Sequence, residues 1–432
     1  MFNRKKMQPT DVFTPRESKV NEYTFVRRDG FYEELSAAFN GTKHIVIHGD
    51  SGTGKSWLYK EFIDANNIDY LTANLSNASR FNAINKELDN TFGREVKRQK
   101  ISVTKSYEGS VQGESNLGVW GIIKMVFSMV FKKREDNQYK IFAKEPFEAC
   151  LELLHKRSNE KKSLLVFDNF EAIAENQELI KELSDIILLL DDERYGQYNS
   201  VILIVGTPND LLYYFSNTGS NTSSISNRMV ELQEVSKMTD DEANSLFDKG
   251  FTKLDYQIKE GEKKEIYEHI RWITGNNPQR LQEYCLALSQ IVAKKGDNLI
   301  ELEILQDATK KWLGGSLSNV YSSIEKMMNS NETTIGRRNQ VLYCLGQVEK
   351  NEIRVNEIEG MIRELFPANT KGKTINPRQI MGELSNAEVP ILRKSPKGDA
   401  YFFADPKYRV CLRSMLYLDG QQVKKKERGE II

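Results

Sequence analysis

The chain has 432 residues, enough for two or three domains at about 150 residues each. Hydrophobic residues make up 39% and charged residues 28%, an ordinary balance that can fill a core. Lys plus Arg equals Asp plus Glu, 61 against 61, which excludes a global pull toward nucleic acid or anionic lipid, so any basic surface must be local.

The four cysteines, Cys150, Cys285, Cys344 and Cys411, form no CxxC pair, so neither a zinc ribbon nor a disulfide framework is expected. Free thiols in a reducing cytoplasm fit better. Met1-Phe2-Asn3-Arg4-Lys5-Lys6 is not followed by an apolar stretch, so no signal peptide is read. The longest apolar run, Leu117–Phe131, is broken by Lys124 and is too short to span a bilayer as a helix. The expectation is a cytoplasmic chain without a membrane partner.

Residues 1–30 read as a lead-in, with Pro9 and Pro15 among many charges. A core domain is expected over 31–235. Its first helix begins in Gly30–Ala38. His44–His48 is a short strand, Gly49–Gly54 a loop, Lys55–Ile63 a helix and Ile68–Leu75 a second strand. Over about 92–140, Gly109, Gly113, Gly118 and Gly121 interrupt the pattern. This reads as an insertion, either an apolar hairpin packed on the domain or a contact for a partner or DNA. Pro146–His155 then reads as a helix, Ser163–Phe167 as a buried strand ending at Asp168, Leu179–Leu190 as a long helix and Val201–Val205 as another apolar strand. Strands that are apolar on both faces and alternate with helices predict an α/β fold with a helix-covered parallel sheet.

After Leu232 the strand pattern stops. Thr239-Asp240-Asp241-Glu242 is a capping box opening a helical subdomain over 236–328, with Trp272, Ile273, Leu281, Leu286 and Leu288 among its core candidates. Asn329-Ser330-Asn331-Glu332 reads as a linker. In 333–420, one helix carries Val341, Leu342 and Leu345, and a second Ile358, Ile362 and Leu365. A third is capped by Asn376-Pro377, and two short strands flank Pro396–Asp399. Three helices and a hairpin predict a winged helix. Residues 421–432 read as a loose basic tail.

The loop Gly49-Asp50-Ser51-Gly52-Thr53-Gly54-Lys55-Ser56 fits G-x4-G-K-[ST] between a strand and a helix, the setting a phosphate-binding loop needs. The glycines let backbone N–H groups turn inward, and the following helix adds its positive end. Lys55 is expected to reach the β- and γ-phosphates of ATP, and Ser56 to bind Mg²⁺. Asp168, at the end of an apolar strand, is the expected second Mg²⁺ ligand. The next residue is Asn169, which cannot act as a base. Glu171 is therefore the expected catalytic carboxylate, or else an ordinary early-helix acid, in which case hydrolysis is slow or absent. Thr207 and Asn209, after the strand Val201–Val205, are candidates to touch the γ-phosphate or the attacking water, though Pro-Asn-Asp is also a plain turn. Arg228 is either an arginine finger or a surface arginine. Pro278 could lie against adenine and Arg280 reach the phosphates, or the segment could be a plain loop-to-helix junction.

These blocks, in this order, resemble the AAA+ ATPases over roughly residues 20–315. Within that group the chain looks most similar to the branch of replication (origin-recognition) initiators and STAND signalling ATPases. Phe13-Thr14-Pro15 with Phe25-Val26-Arg27-Arg28-Asp29 is similar to the region preceding the phosphate loop there, although Arg27 stands where a glycine is expected. Gly275-x-x-Pro278 resembles the sensor-2 or GxP element, and the Asp168-x-x-Glu171 spacing also occurs in related members. The resemblance implies a lid that closes on nucleotide, self-association with Arg228 acting on a neighbour's ATP, and a terminal winged helix. Relatives of this general shape also occur among mobile-element and phage-defence ATPases.

Two functions follow as expectations. In one, ATP switches a double-stranded-DNA-binding protein, with Arg378 on the third helix and Arg393, Lys394 and Lys397 on the wing as readers. Glu383 and Glu388 on that helix count against it. In the other, a signalling or scaffold ATPase uses the winged helix to hold protein effectors. A metabolic kinase would need neither lid nor winged helix.

Overall fold

The computed structural model describes residues 7–109, 145–207, 214–215, 222–315, 317–329, 336–395 and 398–425, with side chains omitted over 98–109 and 222–224. The chain divides into two compact units. One comprises Arg28–Gly49 and Lys55–Val235, and the other the chain up to Arg27, Asp50–Gly54 and the chain from Ser236 on.

The first unit is built on five parallel strands in the order β2-β3-β4-β1-β5. They are β1 His44–His48, β2 Tyr70–Asn74, β3 Ser163–Asp168, β4 Ser200–Gly206 and β5 Met229–Glu231. The helices of this unit, in chain order, are α1 Asp29–Asn40, α2 Lys55–Ala65, α3 Ile84–Gly109, α4 Pro146–Arg157, α5 Gln177–Leu189 and α6 Thr222–Arg228, with a short helix Leu75–Phe81. The strand side chains alternate between two cores. Val46, Leu165, Phe167, Ile202 and Ile204 pack with Leu151 and Leu154 of α4 and Leu183 and Ile187 of α5. Ile45, Ile47, Leu164, Val166 and Leu203 pack with Leu35 of α1 and Leu58 and Phe62 of α2. Both faces are covered, which is why these strands read as continuous apolar runs.

The expected insertion begins differently from the hairpin reading. Residues 92–109 continue α3, and 110–140 lie outside the described residues.

The second unit has two cores. The first is helical: α7 Asp240–Lys253, α8 Lys263–Thr274, α9 Pro278–Lys295 and α10 Glu303–Gly315. The capping box at Thr239 and Glu242 is formed as the sequence implies. Strand structure does not end at Leu232, because Gln257–Ile258 pairs in parallel with Leu299–Ile300. The lead-in is part of this core. Val12 and Phe13 are fully buried, and the Phe13 ring lies 2.3 Å from where a Cβ on Gly250 would stand, so only glycine fits there on α7. Gln282 of α9 fixes the arm by accepting the Thr14 N–H at 3.1 Å and donating to Thr24 Oγ1 at 2.7 Å.

The second core follows α11 Ser318–Met327 and holds α12 Arg337–Gln347, α13 Val355–Leu365 and α14 Pro377–Ser385. The antiparallel wing β6 Leu392–Lys394 and β7 Tyr401–Phe403 follows, and Ile353 bridges to Tyr401. Three helices followed by a two-stranded hairpin is the order of elements expected of a winged helix. Beyond it the chain adds α15 Lys407–Met415 and a hairpin, β8 Leu416–Asp419 with β9 Gln422–Lys425. Residues 422–425 are thus paired, contrary to the expected loose tail. Among the described residues, no helix is long and apolar enough to cross a membrane.

Candidate functional site

Because the sheet is parallel, the carboxyl ends of its strands share one edge, where ligands of open α/β sheets bind. β1 ends there at His48, opposite Gly206 of β4, and β3 ends there at Asp168, opposite Asn74 of β2. Gly49 leaves β1 with φ 148°, and a Cβ on it would lie 2.4 Å from the Val235 carbonyl. A side chain is barred twice over, by conformation and by contact. Lys55 opens α2, is buried, and turns its ammonium back to donate to the Gly49 carbonyl at 2.7 Å. Ser56 follows it in the first turn of α2.

Asp168 is half-buried. Its carboxylate accepts from the Tyr59 hydroxyl of α2 at 3.1 Å and from the Asn169 N–H at 2.9 Å. Burial, then the Asp168 charge, pushes the Tyr59 phenol well above its ordinary range, so Tyr59 stays a donor. Asn169 is in the left-handed region at φ 66°, and its Nδ2 donates to Asn74 Oδ1 at 3.1 Å. The residue beside Asp168 is therefore both a non-base and tied to β2.

The next turn carries Glu171. Phe170 is fully buried and anchors a single 3₁₀ turn, Phe170–Ala172. Glu171 stays exposed, and its Oε2 accepts the Thr207 N–H at 3.1 Å. Two sequence candidates thus meet, across the ends of β3 and β4. Asn209 lies outside the described residues.

Arg228 is at the other edge. It immediately precedes Met229, which pairs with His44 at the amino end of β1. A five-residue strand spans about 13 Å, so Arg228 is remote from the carboxyl edge of its own sheet. Its guanidinium is paired with Asp191. This place and pairing fit a surface arginine, and a finger here would have to act on another subunit's nucleotide. Nearby His44 is lowered to about 4, first by burial, with Asp191 raising it and Arg228 lowering it.

The remaining loop residues group with the helical core α7–α10, labelled the lid below for its place in the chain. Thr53 Oγ1 donates to the Asp50 carbonyl at 2.9 Å. Gly52 has φ 82°, and a Cβ there would come within 2.8 Å of Asn277 Oδ1. Asn277 caps α9, and Pro278 lies with Cγ 4.0 Å from the Cβ position of Gly54. The segment expected to touch nucleotide thus packs directly on the loop turn Asp50-Ser51-Gly52-Thr53-Gly54.

Arg280 does not match its expected role as a phosphate contact. Its side chain is 2% exposed, and Nη1 donates to both Glu283 oxygens at 2.7 and 2.6 Å. Glu283 also accepts from Gln279 Nε2 at 3.1 Å and Trp312 Nε1 at 3.2 Å, with Arg16 at 3.7 Å. Asp405, just before α15, lies 3.9 Å from Arg280. Freeing Arg280 would leave a buried carboxylate without its main partner, a cost of several kcal/mol, on the order of 3–5. The arginine is held in the lid interior by that cost.

On the winged helix, Arg378 and Lys394 are exposed, and Arg393 lies over the Phe402 ring at 5.3 Å. A groove of about 750 Å³ is lined by Arg378, Gln379, Gly382, Glu383, Asn386 and Lys394 among others. Glu383 is paired with Arg338 and accepts from Gln379 at 3.1 Å. Lys397 lies outside the described residues. Lys371 and Lys373, in the turn before α14, are exposed and add positive charge that sequence reading overlooked. It also overlooked Tyr59, Asn74, Asn277, Gln279 and Glu283. Only Asn277 had a local signal, as a good cap before Pro278.

Comparison with known proteins places this geometry. Residues 39–215 match the AAA domain family. No curated protein matches. Among solved structures, a Walker-type ATPase of Pyrococcus abyssi is similar at TM-score 0.54 and 16% identity, over 92% of this chain and 99% of that one. Cdc6p of Pyrobaculum aerophilum follows at 0.43 and 15%, over 94% and 97%. The ORC2 protein of Aeropyrum pernix stands at 0.46 and 12%, over 93% and 98%. The first of these shares the fold. The stretch that matches the AAA domain, residues 39–215, carries the phosphate loop between β1 and α2 and Asp168 at the end of β3.

Proposed function

We propose that this chain binds Mg-ATP at its phosphate loop, hydrolyses it slowly, and uses the cycle to control assembly and duplex-DNA binding through the winged helix. The observation that carries the nucleotide reading is Lys55, buried and folded back on Gly49 at the carboxyl edge of the sheet, with Asp168 at the end of β3, next but one to β1 in the sheet. Backbone N–H groups of the loop and the Lys55 ammonium would hold the phosphates. Ser56 and Asp168 are the residues that fit Mg²⁺, which when bound neutralises charge on the β- and γ-oxygens.

Glu171 and Thr207 support hydrolysis. Glu171 would orient a water and take its proton as the water oxygen bonds to the γ-phosphorus, while the bond to the bridging oxygen breaks and ADP leaves. Asn169 cannot share this work, which favours a slow turnover. Arg228 would complete a neighbouring subunit's site. Size measurement of the protein with and without Mg-ATP tests assembly. Adding Arg228→Ala subunits to wild type should then lower turnover per wild-type site.

For DNA, the exposed face of α14 offers Arg378, Gln379 and Asn386 beside Lys394, with Lys371 and Lys373 nearby. These residue types suit base edges and phosphates. Salt-dependent binding of duplex DNA, with and without Mg-ATP, is the test, and absence of binding at low salt removes this part. Glu383 on the same helix and Glu388 just beyond its end favour the second reading, in which the groove takes a protein partner and ATP governs assembly alone. That reading predicts assembly that survives loss of Arg393 and Lys394.

A further inference from the structure

Asn277 makes more contacts than a helix cap requires. Its Oδ1 accepts the Arg280 N–H at 3.2 Å, which caps α9. Its Nδ2 donates to the Ser51 carbonyl in the phosphate loop at 3.0 Å. The two bonds fix the amide orientation, because one partner can only donate and the other only accept. The residue is 7% exposed and follows two residues in the left-handed region, Gly275 at φ 61° and Asn276 at φ 56°. Asn276 anchors this turn by accepting the Met238 N–H at 2.9 Å and donating to Asp240 at 2.7 Å. Its position is therefore held from both sides.

The next loop carbonyl is held as well, since Gln279 donates its N–H to the Gly52 carbonyl at 3.1 Å. In a trans peptide the C=O and the following N–H point opposite ways. Tying the Ser51 carbonyl to the lid aims the Gly52 N–H away from it, and tying the Gly52 carbonyl does the same for the Thr53 N–H. Thr53 N–H is further restrained by a long turn contact to the Asp50 carbonyl at 3.4 Å. Successive N–H groups aimed to one side make an anion-binding concavity.

We propose that Asn277 is a positioning residue for the phosphate loop, shaping the Ser51–Gly52 peptide for phosphate from the lid side through its Nδ2. The inference rests on the reading that this loop binds Mg-ATP. It makes the lid helix a determinant of nucleotide affinity without any lid side chain touching phosphate.

The test uses Asn277→Ser and Asn277→Asp in the full chain. Both residues cap helices well, so α9 stays capped, but neither replaces the donor to Ser51. Nucleotide-free thermal unfolding should stay near wild type. Affinity for Mg-ATP and Mg-ADP should weaken about tenfold in the serine variant, the loss expected of one ordering hydrogen bond, and further in the aspartate variant. Amide exchange of a peptide covering residues 49–56 should quicken in the nucleotide-free variants. A simple capping role predicts the opposite, with wild-type affinity and loop exchange restored by serine, and that result overturns the proposal. If the wild type binds no nucleotide, the function and the inference fall together, whereas normal binding by the serine variant removes only the inference.

Discussion

Glu171, at the carboxyl edge of the sheet, is exposed and accepts the Thr207 N–H. Glu283, in the lid, is 4% exposed and accepts from Arg280, Gln279 and Trp312. Both were within reach of a nucleotide-site reading by sequence position, one directly and one through Arg280. The difference lies in what each carboxylate still has to give. Glu171 faces water and can order one or take its proton. Glu283 has its lone pairs taken by buried donors, so it and Arg280 stabilise the lid and cannot readily exchange partners. A charged residue near a nucleotide motif is free for chemistry only when packing has not already neutralised it.

The contrast is broken most directly at Glu283. Glu283→Ala should cost about 3–5 kcal/mol of stability in urea denaturation, because it leaves buried Arg280 without its close partner and with only Asp405, 3.9 Å away. Glu171→Ala, on an exposed turn, should change stability by less than about 0.5 kcal/mol. Equal effects would erase the distinction. Glu171→Gln should then lower phosphate release by about a hundredfold or more while nucleotide affinity stays within about twofold of wild type. Unchanged turnover would return Glu171 to the status of an early-turn acid.

A smaller effect compares the two edges of the sheet. At the amino edge, His44 is held neutral with a value near 4 against 6.5 when free. Below about pH 6.5 the unfolded chain takes up this proton before the folded one. The stability that neutral His44 supports is thus full above that value and lost as pH falls toward 4. Between pH 6.5 and 5 the loss is about 2 kcal/mol. A His44→Phe protein should lack this share of the pH dependence. The smallest effect belongs to the winged helix, where Arg378→Ala should reduce the salt slope of duplex-DNA binding by about 1.

Much of the sheet unit was legible because its chemistry leaves little choice. A phosphate loop needs glycines where a Cβ would strike Val235 or the lid, and strands covered on both faces must be apolar throughout. Asp168 was visible as a charge closing such a strand. The direction of Arg280 was not legible. Glu283 is one helical turn away, but Trp312 and Asp405 arrive from distant segments, and burial decides the pairing. The same holds for Phe13, whose niche exists only because residue 250 is glycine on a helix more than two hundred residues later. The continuation of α3 through 92–109 was hidden by its mixed charges, which carry no strong apolar stripe. The pairing of residues 416–425 was hidden because lysines dominate a short edge strand, where they read as a solvated tail.

The account stands on nucleotide binding by the phosphate loop. Calorimetric titration of Mg-ATP into the wild type and into Lys55→Ala tests it most directly. Saturable binding by the wild type, with affinity at least about a hundredfold weaker after loss of the Lys55 ammonium, is the predicted result. Equal affinities, or no heat of binding with either protein, would contradict it.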